Sequence, residues 1–189
     1  MSTIGFDTSN YTTSTAWTDG KTDINVRQIL YVKDGERGIR QSDGVFQHMK
    51  LMPVMYEKLS EQIDFKDVKA VGVSTRPRCV EGSYMPVFLA GEGYAKVVAD
   101  TLGVPLYEFS HQDGHIMAGI YSSGSFELLE NDFISVHLSG GTTEILKSRY
   151  NGFNFDNEIV GGSKDISAGQ FIDRVGVKMG LHFPGGKAL

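Results

Sequence analysis

Apolar and polar positions alternate at the start of the chain. Ser2 to Phe6, the Thr-rich Tyr11 to Thr18 and the β-branched Ile24 to Val32 read as three successive strands joined into two hairpins. From Gly44 to about Gln62 the period becomes helical, with Val45, Met49, Met52, Met55, Tyr56 and Leu59 on one face; Pro53 inside this run predicts a kink or a late start. Val68 to Ser74 predicts a short buried strand, Phe88 to Leu102 a second helix and Pro105 to Phe109 another strand, an order that implies parallel pairing. Ser110-His111-Gln112-Asp113 has the form of a capping box, a hydroxyl at the N-cap and a carboxylate three residues on, so His111 is expected to open a helix.

After the polar break Ser122 to Ser125 the pattern begins again: strand Phe133 to Leu138, a Gly-rich turn, strands Glu144 to Ser148 and Phe153 to Val160, and a helix from about Ile166 to Met179. The segments beginning Ile4-Gly-Phe-Asp-Thr-Ser and Ile134-Ser-Val-His-Leu-Ser are both strand, hydroxyl-bearing turn, strand, which reads as an internal repeat. The expectation is an α/β chain of two lobes of one design, residues 1–125 and 126–189. One hairpin, one strand and one helix cannot cover both faces of a parallel sheet, so the second lobe is expected to be truncated.

At 189 residues, 40% apolar and 22% charged, the composition is that of an ordinary soluble protein. No stretch approaches the roughly 18 apolar residues of a membrane helix, and no signal peptide opens the chain, so no membrane role and a cytoplasmic location are expected. Cys79 is the single cysteine, which excludes an intrachain disulfide and a thiolate cluster; any metal must take nitrogen and oxygen ligands. The net charge of -5 argues against a broad grip on a phosphate backbone, so an RNA substrate would be held by a partner.

The turns Asp7-Thr8-Ser9 and Ser139-Gly140-Gly141-Thr142-Thr143 each set hydroxyls and backbone N–H groups between strands. As a pair across a duplication they suit a two-lobed phosphate clamp; singly, each is also read as a polar hairpin turn. His111 and His115, four apart on a helix, project from one face and can reach one ion. A His-Glu-x-x-His peptidase places its general base directly after the first histidine, where this chain has Gln112, an amide that cannot take a proton from water. Arg76 and Arg78 are candidate partners of a phosphate or carboxylate, or solvated charge. His48 and His182 read as structural or surface residues. By alternation with Val136 and Leu138, His137 is expected to face away from the local core, where it could line a site.

The chain resembles the tRNA threonylcarbamoyladenosine transferases (TsaD, Kae and Gcp proteins), long known as O-sialoglycoprotein endopeptidases or glycoproteases. The likeness rests on Ile4-Gly-Phe-Asp-Thr-Ser, Gly44-Val-Phe-Gln-His-Met-Lys-Leu-Met-Pro, Ala90-Gly-Glu-Gly-Tyr-Ala-Lys, His111-Gln-Asp-Gly-His-Ile-Met-Ala, Leu138-Ser-Gly-Gly-Thr-Thr-Glu, and Ser167-Ala-Gly-Gln-Phe-Ile-Asp-Arg-Val-Gly with Phe183-Pro-Gly-Gly. It implies an actin-like ATPase fold of the ribonuclease H type, a divalent Fe or Zn ion on His111 and His115, and an adenylate, threonylcarbamoyl-AMP, bound through His137, Leu138, Ser139, Gly140, Gly141, Asp173 and Gly186. The implied reaction is transfer of the threonylcarbamoyl group to a tRNA adenosine next to the anticodon, the metal polarising the carbamoyl carbonyl as AMP departs. The implied partners are a related actin-like subunit and, through it, tRNA.

The pattern departs from the family's at three places. Thr142 stands where the family has His, Arg76-Pro77-Arg78 where it has Gly-Pro-Gly, and Gly169-Gln170-Phe171-Ile172-Asp173-Arg174 where it has Gly-Glu-Ala-Phe-Asp-Lys. The family's third metal ligand, an Asp, lies past the position of Leu189, so the fragment alone is expected to be inactive. A non-catalytic paralogue that scaffolds the modification complex and the historical metalloendopeptidase are the alternatives.

Overall fold

The structure is a computed structural model that describes residues 1–33, 36 and 38–188, Lys187 by its backbone alone. The chain packs as two units, Met1–Tyr31 with Ile39–Gly114, and Val32–Gly38 with His115–Leu189.

The first unit holds a five-stranded sheet in the order β3-β2-β1-β4-β5. Strands β1 (Ser2–Asp7), β2 (Thr12–Thr18) and β3 (Asp23–Ile29) form an antiparallel meander, while β4 (Val68–Arg76) and β5 (Leu106–Ser110) add in parallel on the other edge of β1. Parallel pairing requires a crossover, and helices α1 (Gln41–Ser60) and α2 (Phe88–Leu102) separate the strands concerned. Ile4, Phe6, Val71 and Val73 of the sheet share one core with Met52 and Leu59 of α1 and Ala95 and Ala99 of α2. Burying a side chain such as Leu59, 0% exposed, is worth roughly 1.5–3 kcal/mol.

Pro53 does not delay the start of α1; the helix runs from Gln41 through Ser60. A proline removes the N–H that would bond the carbonyl four residues back, here that of Met49. The Tyr94 hydroxyl of α2 donates to that carbonyl at 3.0 Å, so tertiary packing replaces the missing donor.

The second unit holds an antiparallel meander of β6 (Phe133–Leu138), β7 (Thr143–Tyr150) and β8 (Phe155–Gly162). Its helices are α4 (Ala168–Lys178) and the part of α3 (His111–Ser123) from His115 onward. Ile116 and Ile120 of α3 pack on Leu146 and Phe155, with Phe133, Leu128 and Tyr150 around them. The packing units divide inside α3, between Gly114 and His115.

The internal repeat is present in the strand registers. β1 pairs with β2 from Thr3 opposite Thr18 to Asp7 opposite Ser14, and β6 pairs with β7 from Phe133 opposite Ser148 to His137 opposite Glu144, each pair displaced from its counterpart by the same interval. Ile4 and Phe6, 1% and 3% exposed, thus correspond to Ile134 and Val136, both 61% exposed. This corrects the expected orientation of His137. The alternation identified the more apolar face of β6, but α3 covers the opposite face, which carries Phe133 and His137. Among the described residues no helix is long and apolar enough to cross a membrane.

Candidate functional site

In the first unit, polar side chains gather where β1, β4 and β5 end, the usual location of ligand sites in sheets of this kind. β5 runs directly into α3 at Ser110, and the capping box forms in full. The Ser110 hydroxyl accepts from the Asp113 N–H at 3.1 Å and donates to Asp113 Oδ2 at 2.6 Å, while the Ser110 N–H donates to the same oxygen at 3.1 Å. Ser110 and Asp113 are 0% and 3% exposed, which fixes the start of α3 and hence His111.

Asp7, at the end of β1, is hydrogen-bonded to His111 through Oδ2 and Nδ1 at 3.0 Å; the two side chains are 28% and 29% exposed. Its Oδ1 accepts the Ser9 N–H at 2.7 Å and the Ser9 hydroxyl. Burial opposes ionisation of Asp7, but the hydrogen bond and charge of His111, with hydrogen bonds from Ser9 and Ser74, outweigh it and lower the pKa to about 2. The edge of the Phe88 ring packs against His111 with centroids 6.2 Å apart.

The hydroxyls expected to meet a phosphate are committed to the protein in this turn. Thr8, 0% exposed, donates to the Val87 carbonyl at 2.8 Å and accepts the Gly91 N–H at 3.0 Å, tying β1 to the start of α2, and Ser9 is turned onto Asp7. His48 is buried in the same unit with Nδ1 2.7 Å from the Thr13 hydroxyl, and burial lowers its pKa, so it is a neutral structural histidine. Arg76 reaches Thr75 at 3.1 Å and Cys79 at 3.8 Å.

In the second unit, His115 is exposed on α3 and its ring lies 5.4 Å from that of His137 on β6. The turn after β6 closes on itself: Ser139 Oγ accepts the N–H groups of Gly141 at 3.2 Å and Thr142 at 3.0 Å. The N-terminus of α4 is fastened to this turn, because the N-cap Ser167 donates to the Gly140 carbonyl at 3.0 Å and the Ala168 N–H donates to Thr143 Oγ1 at 2.7 Å. The approach is so close that a Cβ on Gly169 would lie on the Ser139 carbonyl and 2.7 Å from Gly140 N. Farther along α4, Asp173 Oδ1 accepts the Gly185 N–H at 2.9 Å, which brings Asp173 and the Gly185–Gly186 turn together. α4 therefore links the glycine turn, Asp173 and Gly186, all three singled out in the sequence. Leu138, Gly140 and Gly141 are exposed at its head.

Sequence reasoning missed the pairing of Asp7 with His111, which joins residues far apart in the chain, and the roles of Ser167 and Gly169. A hydroxyl before a helical run signals the N-cap at Ser167; nothing local signals the Asp7 contact.

The donor set of α3 suits a first-row divalent ion. Imidazole nitrogen is a good ligand for zinc and iron, and a carboxylate on the far nitrogen of a metal-binding histidine is a frequent support. α3 offers two candidate ligands, and among the described residues no three His, Cys, Asp or Glu side chains group so as to hold an ion.

A family model described as TsaD, tRNA N6-adenosine threonylcarbamoyltransferase, matches residues 36–189. Curated proteins of that name are similar: one of Christiangramia forsetii is 32% identical over 138 residues, 72% of this chain and 38% of that protein. One of Pyrobaculum calidifontis is 29% identical over 185 residues, 96% of this chain and 50% of that protein. The chain thus spans half or less of the length of these relatives. Among solved structures, the ethanolamine utilization protein EutJ from Carboxydothermus hydrogenoformans aligns with a TM-score of 0.54 at 16% identity, over 100% of this chain and 60% of that one. YeaZ from Pseudomonas aeruginosa aligns with a TM-score of 0.50 at 11% identity, over 86% and 66%. The architecture is the actin-like ATPase fold, and the chain belongs to the TsaD family of tRNA N6-adenosine threonylcarbamoyltransferases.

Proposed function

We propose that this chain carries the metal-binding histidines and part of the adenylate site of an enzyme that transfers a threonylcarbamoyl group from threonylcarbamoyl-AMP to a tRNA adenosine next to the anticodon. The observation that carries the reading is the family match itself, which runs through α3, the glycine turn and α4. His111 and His115 would hold a divalent iron or zinc ion, which when bound supplies Lewis-acid polarisation of a carbonyl. The chain's own residues do the rest. The capping box fixes where His111 stands, and the turn from His137 through Gly141, with Thr142 beside it, would face the adenylate together with Asp173 and Gly186, which α4 ties to it. Gly140 and Gly141 carry no side chain to block the backbone from a nucleotide.

The net charge of -5 supports presentation of tRNA by a partner, for which a related actin-like subunit is the candidate, in the cytoplasm where tRNA is modified. Buried Gln112, at 4% exposure, weighs against a peptidase base at that position. Calorimetric titration of the protein, expressed from its natural reading frame, with Zn²⁺ and with a non-hydrolysable adenylate tests the reading. Both ligands are expected to bind, and His111→Ala is expected to lose the metal alone. A folded protein that binds neither ligand refutes the proposal and leaves the scaffold role.

A further inference from the structure

The duplicated hairpins place different residues beside the two histidines of α3. At the end of β1 the matching position is Asp7, hydrogen-bonded to His111 Nδ1 at 3.0 Å. At the corresponding position of β6 it is His137, whose ring lies 5.4 Å from the ring of His115.

The Asp7 carboxylate is itself held on both oxygens. Oδ1 takes the N–H and hydroxyl of Ser9, leaving Oδ2 directed at His111. His111 is held in turn by the capping box and by the edge contact with Phe88. A carboxylate accepts only, so a neutral His111 bonded in this way keeps its proton on Nδ1 and has its lone pair on Nε2. An acceptor behind one ring nitrogen also raises the basicity of the other.

We propose that Asp7 is a positioning residue that holds His111 in the Nδ1–H tautomer and so supports its Nε2 as a ligand for a divalent cation. The metal half of this inference rests on the reading given under Proposed function; the tautomer half stands on the structure alone.

The experiment has two arms. Long-range ¹H–¹⁵N correlation spectra of histidine-labelled, metal-free protein at pH about 8, above the ordinary imidazole range, report the tautomer of His111. Wild type is expected to show the Nδ1–H form, and Asp7→Asn a shift towards the Nε2–H form. In the second arm, Zn²⁺ titration is expected to show affinity lower by about 10–100-fold in Asp7→Asn, with Co²⁺ absorption confirming the same imidazole ligation. Denaturant unfolding of each variant confirms the fold, and Asp7→Glu, which keeps the acceptor, is expected to retain the tautomer.

An Nε2–H tautomer in wild type, or an Nδ1–H form unchanged in Asp7→Asn, overturns the positioning role even if the protein binds metal. Equal Zn²⁺ affinity of wild type and Asp7→Asn overturns the metal half. A wild type with the Nδ1–H tautomer that binds no Zn²⁺ upholds the tautomer assignment and instead removes the metal from the proposed function.

Discussion

Replacing Gly169 by alanine sets two effects in opposition. Inside a helix alanine is favoured over glycine by about 1 kcal/mol, so propensity alone predicts stabilisation. Gly169 lies in the first turn of α4, however, and an added Cβ would meet the Ser139 carbonyl and come within 2.7 Å of Gly140 N, both rigid backbone. The helix must withdraw from the turn, and the bonds Ser167 Oγ to Gly140 O and Ala168 N to Thr143 Oγ1 lengthen or break. Overpacking costs roughly 1–3 kcal/mol and each lost hydrogen bond about 1 kcal/mol. Set against about 1 kcal/mol of propensity, the net with both bonds lost is a destabilisation of about 2–4 kcal/mol. Urea unfolding followed by circular dichroism measures it, and hydrogen exchange of the α4 amides localises it. Gly119 of α3 is the control: nothing lies within 4 Å of its Cβ position, so Gly119→Ala is expected to stabilise by about 0.5–1 kcal/mol. A Gly169→Ala protein as stable as wild type, with unchanged protection of α4, would refute the close-packing account of the turn.

Ser110→Ala removes the N-cap hydroxyl and one partner of the buried Asp113 carboxylate, for an expected loss of about 2 kcal/mol in urea unfolding. Stability is expected to fall with pH in two stages. Burial keeps His48 neutral with a lowered pKa, so below about pH 6.5 the unfolded chain takes up a proton that the folded one resists; His48→Gln should flatten this limb. Asp7, lowered from 3.8 to about 2, stabilises fully above its ordinary value, and that contribution, about 2 kcal/mol, disappears as pH falls through about 2; Asp7→Asn should flatten the acid limb. Val136→Lys on the exposed apolar face of β6 is expected to leave stability within about 0.5 kcal/mol in urea unfolding.

Much of the fold was legible because its signals are local. The bounds of α2 and β6 agree with their periodicity, and the capping box at Ser110 placed the start of α3 at His111. The matching registers of the two hairpins bear out the repeat read from Ile4 and Ile134. Where expectation failed, a tertiary contact prevailed over a local rule. α1 starts well before Pro53 rather than late, and Tyr94, distant in sequence, supplies the donor that Met49 lacks. His137 faces α3 because the helix packs on the less apolar side of β6, which alternation alone cannot foretell. In the site, the two α3 histidines and the glycine turn could be picked out by spacing and residue type. The commitment of Thr8 and Ser9 to internal bonds could not, since a hydroxyl in a turn has the same sequence whether it meets a ligand or a backbone carbonyl.

The proposed reaction is transfer of a threonylcarbamoyl group to tRNA with the help of the α3 histidines. Incubating the protein from its natural reading frame, with the subunits that co-purify with it, with threonylcarbamoyl-AMP and unmodified tRNA, and measuring threonylcarbamoyladenosine in the digested tRNA by mass spectrometry, tests it directly. The modified nucleoside is expected with wild type and is expected to fall at least tenfold with His111→Ala, roughly the loss that removing a metal ligand or its support entails. Folded wild-type protein that forms no modified nucleoside, or a His111→Ala protein that forms as much as wild type, would contradict it.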